Sequence, residues 1–101
     1  MNVSSIEELT KIIENNERKV IEFLVSYCEP AVKFTSTVDK LVQDFPGFRF
    51  YRVDLDKVKP ARRQFGIESV PTFLVFIGRE KIADIFGTDS AKLKKALEEN
   101  S

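Results

Sequence analysis

Histidine is absent from this chain of 101 residues, and cysteine occurs once, at Cys28. Without histidine there is no Cys-His or Ser-His catalysis and no zinc site of the familiar ligand types. One thiolate leaves too few soft ligands for a transition metal, so no cofactor is expected. A single cysteine forms no internal disulfide, and the fold must rest on its core alone, as in proteins of reducing compartments. Net charge is missing too, because 16 basic residues balance 16 acidic ones. No overall field then draws the molecule to nucleic acid or an anionic membrane, and neither is expected as a partner. No apolar run approaches the roughly 18 residues of a membrane span, and residues 1–8 lack a charged-then-apolar leader pattern. A cytoplasmic protein is the expectation.

Apolar side chains make up 43% of the chain, nine of them phenylalanine, against only four glycines and four prolines. That composition describes a packed globular protein, and its length suits one domain over residues 1–101. Ser5 followed by Glu8 has the spacing of a capping box, and Ile6, Leu9, Ile12 and Ile13 recur on one helical face, so a helix is predicted from about Ile6 to Asn15. Val20 to Val25 reads as a buried strand. Pro30 suits the first turn of a second helix starting at or beside Cys28, with Phe34, Val38, Leu41, Val42 and Phe45 as its apolar stripe and Pro46-Gly47 as its end.

Phe48 to Leu55 is rich enough in aromatic and β-branched residues for another strand. A short helix from about Val58 to Phe65 follows, with Pro60 in its first turn and Gly66 after its last. Val70 to Ile77 is apolar on both faces, as a central strand covered by helices would be. Gly78, Arg79 and Glu80 make a tight turn into a strand around Lys81 to Phe86, ended by Gly87. Asp89 or Ser90 caps a last helix through Leu93 and Leu97. Residues 1–3 add at most a very short edge strand. The predicted class is α/β, with parallel crossovers first, a hairpin last and helices on both faces of one mixed sheet.

This order, with Tyr27-Cys28-Glu29-Pro30-Ala31 after the first main strand and Val70-Pro71-Thr72 opening a later one, resembles thioredoxin over nearly the whole chain. The resemblance implies the thioredoxin fold, with a central sheet of four to five strands. Thioredoxins carry Trp-Cys-Gly-Pro-Cys at the first motif, so Cys28 and Pro30 keep their places while Tyr27, Glu29 and Ala31 depart from the pattern. The resemblance implies a cis peptide bond at Val70-Pro71 that presents backbone to an extended substrate segment beside the reactive sulfur. It maps the family's buried acid onto Glu22, the cation beside that acid onto Arg52, and the glycine that leaves room for a partner chain onto Gly87. An exposed strand position is the other reading of Glu22. A pair with Arg52 would keep its carboxylate ionised.

In the family's reaction the first thiol attacks a disulfide and the second releases the mixed disulfide. Ala31 removes the second step. Two function readings follow. In one, Cys28 alone exchanges with a disulfide-containing protein or peptide, with glutathione or a thioredoxin reductase as further partners. In the other, Tyr27, Pro71, Thr72 and the surface around them bind an extended peptide without catalysis. Ala31 also fits a substrate-trapping substitution in an ordinary thioredoxin, although Tyr27 and Glu29 do not look like such an edit. Monothiol glutaredoxins are a weaker match, because their Cys-Gly-Phe-Ser is absent. A helix N-terminus would lower the Cys28 pKa while Glu29 opposes it and Lys33 compensates, so sequence gives the shift no sign. The basic cluster Lys57, Lys59, Arg62 and Arg63 reads as the wet face of a short helix.

Overall fold

The computed structural model describes residues 2–25 and 33–101. In chain order these form β1 (Asn2–Val3), α1 (Ile6–Glu14), β2 (Arg18–Leu24), α2 (Thr35–Asp44), β3 (Arg49–Asp54), α3 (Pro60–Gln64), β4 (Thr72–Ile77), β5 (Glu80–Phe86) and α4 (Ser90–Glu99). The five strands make one mixed sheet in the order β1-β3-β2-β4-β5. β1, β3 and β2 run parallel, and β4 and β5 are antiparallel to their neighbours. This is the thioredoxin fold, and the residue pair 2–3 is a true edge strand, pairing with Arg52 and Val53.

Local chemistry explains most boundaries. Ser5 Oγ accepts from the Glu8 amide at 3.1 Å, and Glu8 Oε1 accepts from the Ser4 amide at 2.7 Å. The reciprocal bond of the expected box therefore lands one residue outside the cap. Asp89, not Ser90, caps α4, accepting from the Lys92 amide at 3.0 Å. Gly66 follows α3 with φ +63°, where a side chain would be strained. β4 starts at Thr72, two residues later than the apolar run suggests, because Val70 and Pro71 are spent on the bend into it. The expected start of the second helix beside Cys28 lies outside the described residues.

Helices cover the sheet on both faces, and side-chain alternation along β2 and β4 fills two separate cores. Ile21, Phe23, Leu74 and Phe76 pack with Leu9 of α1 and Ala61 of α3. Val20, Phe73 and Val75 pack with Val38 and Leu41 of α2 and Leu93 and Leu97 of α4. An edge-on contact between Phe34 and Phe73, centroids 5.7 Å apart, ties the start of α2 to the second core. Val42 departs from its expected place in the α2 stripe and is 41% exposed. The helix turns it past the sheet, and Leu41 takes the buried position.

β2 also buries a lysine that sequence reasoning passed over. Lys19 is completely inaccessible, and its ammonium donates to the Asn15 carbonyl (3.0 Å), Asn15 Oδ1 (2.7 Å) and the Glu17 carbonyl (3.4 Å). Asn15 is the C-cap of α1, so the charge also meets the negative end of that helix. Burial still lowers the Lys19 pKa, with the Glu17 carboxylate opposing the shift. In Lys19→Met the apolar stem remains but the Asn15 carbonyl loses this donor. The expected loss is about 1–3 kcal/mol in urea unfolding; an unchanged midpoint would show that the cage contributes nothing to stability.

Candidate functional site

The order of strands brings together residues far apart in sequence at the end of the sheet where β2 finishes. Leu24 pairs with Asp54, and the Leu55 amide donates to the Leu24 carbonyl at 2.8 Å, so β2 and β3 end side by side. β4 starts there in the opposite sense, with Thr72 opposite Phe23. The Val70–Pro71 peptide bond is cis. Thr72 is buried and its hydroxyl donates to the Ser69 carbonyl at 2.7 Å, closing the bend around Pro71. The Gly87 amide donates to the Pro71 carbonyl at 2.8 Å, which joins the far end of β5 to the same bend. Gly87 has φ +77°, so glycine is needed for its backbone alone, and a Cβ there would meet no described atom within 4 Å.

Glu22 stands in the middle of β2, between Arg52 of β3 and Phe73 of β4. It is only 3% exposed, which rules out the exposed reading of this position. Arg52 Nε donates to Glu22 Oε1 at 3.0 Å, while Oε2 is buried with no hydrogen-bond partner among the described residues. The expected pair with Arg52 exists and favours the ionised form as expected, but burial acts against it and is the larger effect. Desolvation raises the Glu22 pKa and outweighs the nearby guanidinium, and Asp39 adds to the rise. Arg52 is one-third exposed, so water weakens its hold on the carboxylate. A cavity of about 380 Å³ beside the pair is lined by Glu22, Arg52, Asp39, Val38, Val42 and Phe50, among others.

Comparison with known proteins fits this architecture. The family model for thioredoxin matches residues 2–99. Thioredoxin-3 of Dictyostelium discoideum is 35% identical over 100 residues, covering 99% of this chain and 95% of that protein. The chain belongs to the thioredoxin family. A thioredoxin of Malassezia sympodialis is 29% identical over 102 residues, covering 98% of this chain and 96% of its own. Among solved structures, thioredoxin from Trypanosoma brucei brucei superposes with a TM-score of 0.95 at 21% identity, covering 99% of this chain and 88% of that one. At that identity the likeness speaks for the fold.

Thiol-disulfide exchange is the general chemistry of the thioredoxin family, acting on disulfide-containing proteins and with reductases. Of the positions that sequence assigned to the site, Pro71, Val70, Thr72 and Gly87 meet at one end of the sheet, and Glu22 lies below it inside the second core's face. Tyr27, Cys28, Glu29, Pro30 and Ala31 lie outside the described residues. Sequence reasoning missed Phe86, which is opposite Thr72 on β5 and 61% exposed. An aromatic residue just before Gly87 was the available signal. No helix among the described residues is long and apolar enough to cross a membrane.

Glu22 makes stability depend on pH in a defined direction. Its pKa is raised in the fold, so between the unfolded value of roughly 4.3 and the folded one the native state holds a proton that the unfolded state has released. Its contribution to stability is full below that window and declines as pH rises through it. Glu22→Gln keeps the shape and removes the charge. Relative to the unsubstituted chain it should gain stability as pH rises through the window, reaching about 1–3 kcal/mol above it. Parallel urea-midpoint curves from pH 4 to 8 would rule out this role for the carboxylate.

Proposed function

We propose that this thioredoxin-family chain exchanges disulfides through Cys28 alone. The observation that carries the reading is the convergence of Pro71, Thr72 and Gly87 at the end of β2, the strand whose chain continues toward Cys28. In the first step the Cys28 thiolate attacks one sulfur of a partner disulfide. A bond forms between that sulfur and Cys28, the partner S–S bond breaks, and the other partner sulfur leaves as a thiolate. Ala31 supplies no second thiol. Release therefore needs a thiolate from solution, of the glutathione class, which attacks the mixed disulfide and returns Cys28 as a thiolate. Each exchange trades one S–S bond for another, so electrons balance.

Pro71 and the backbone beside it orient the partner's extended segment, with Thr72 bracing the bend. Tyr27, Glu29, Pro30, Val70 and Gly87 complete the contact surface, and exposed Phe86 adds apolar area next to Gly87. Glu22 is the buried acid of the site. Its raised pKa makes it a proton store on the strand that precedes Cys28 in the chain, with a charge state that affects that thiol. That apolar rim also favours a second reading, in which this surface binds an extended peptide and Cys28 is inert.

Alkylation of Cys28 as a function of pH separates the two. An apparent thiol pKa well below about 8.5 is expected for the exchange reading. Glu22→Gln should remove a further, Glu22-dependent inflection from the profile. Ala31→Cys should then restore turnover in a disulfide-reduction assay, and Cys28→Ser should abolish mixed-disulfide formation. Slow alkylation with a pKa at or above the free value, together with an inactive Ala31→Cys variant, would leave the binding-module reading.

A further inference from the structure

The crossover from β3 to β4 carries four exposed cations. The segment around α3 is anchored by Val58 before the helix, Ala61 within it and Phe65 just after it, with Val58 2% and Ala61 0% exposed. That inner face forces Lys57, Lys59, Arg62 and Arg63 outward, and all four are exposed. None of them is in an ion pair among the described residues. Nearby acids are Asp54, Asp56 and Glu68. Asp54 accepts from the Asp56 amide at 2.9 Å and shares a small cavity with Lys57, so its charge is set against that lysine. Lys59 and Arg63 differ: the hollow of about 490 Å³ between them is lined otherwise by Pro60 and Gln64, and no acid borders it.

The place of this hollow gives the charge its meaning. β3 ends beside the end of β2, the Val58 amide turns directly back to the Asp54 carbonyl, and the crossover ends at Pro71. The cations therefore belong to a connection that leaves and rejoins the sheet at the end where Pro71 and Gly87 meet, on a molecule whose formal net charge, these four included, is zero. We propose that the Lys59–Arg63 face of α3 docks an acidic segment of the disulfide-bearing protein that reacts with Cys28. The inference deepens the exchange reading and rests on it. Carboxylates near the partner's disulfide meet fixed cations, which raises the rate of productive encounter more than the final affinity.

The test uses peptides that carry one cysteine as its 2-pyridyl disulfide, followed by a run of glutamates, serines or lysines. Attack of the Cys28 thiolate on the peptide sulfur forms the mixed disulfide and releases pyridine-2-thione, whose absorbance gives the rate. At low ionic strength the glutamate peptide should react roughly tenfold faster than the serine peptide, and the lysine peptide slower than both. The difference should vanish near 1 M salt, where the screening length falls to about 3 Å. Lys59→Glu with Arg63→Glu should invert the order, and Lys59→Gln with Arg63→Gln should level it. Equal rates for the three peptides, or an order that survives both double variants, would overturn the docking face while leaving exchange intact. No reaction with the serine peptide would overturn the exchange reading and this inference together.

Discussion

Burying β2 on both faces and both edges is the constraint on which the rest of this molecule depends. Six of its seven residues are buried, with β3 on one side, β4 on the other and helices above and below. Water does not reach those six positions, so each polar side chain among them must find a protein partner or carry the cost of lacking one. Two such residues lie on it, and the fold treats them differently.

Lys19 is fully answered. Three oxygens surround its ammonium, and the same corner holds Glu17, whose carboxylate accepts from the Tyr51 hydroxyl at 2.6 Å and from Asn15 Nδ2 at 2.7 Å and pairs with Arg49. The Tyr51 hydrogen bond is the main reason the Glu17 pKa is lowered, against some desolvation. This polar corner fixes the turn between α1 and β2, at the end of the sheet away from Pro71. Glu22 is only half answered among the described residues, with one oxygen on Arg52 and no partner there for the other. A buried carboxylate left in that state carries a cost that a purely structural core would avoid by using an apolar residue. One strand thus carries a buried cation held by three oxygens at its start and a half-paired carboxylate in its middle.

Parallel pairing of β2 with β3 and antiparallel pairing of β2 with β4 then decide what surrounds the end of β2. The β3–β4 connection, which carries α3 and then the bend at Pro71, leaves and rejoins the sheet at this end. The hydrogen bond from Gly87 to Pro71 adds the end of β5. Exposed Phe86 lies to one side of Pro71 in the strand order and the cationic face of α3 belongs to the crossover on the other. Exposed apolar area and exposed cations are thus presented on different elements around this end of the sheet.

Much of this was legible without coordinates. Ser5, Asp89, Gly66 and Gly87 act within a few residues of themselves, so helix starts and strand ends could be read from spacing and residue type. The period of the apolar residues fixed which elements form, and the motifs around Cys28 and Pro71 pointed to the family. Only the tertiary structure decided the electrostatics of the interior. Lys19 looks like any surface lysine in sequence, because its cage comes from a turn whose geometry is set by α1 packing on the sheet. Glu22 and Arg52 were readable as a pair, but the net direction of the Glu22 shift depends on how far burial outweighs that pair, and that is a property of the packed sheet and helices. Local rules govern where elements begin and end; the energy of a buried charge belongs to everything packed around it.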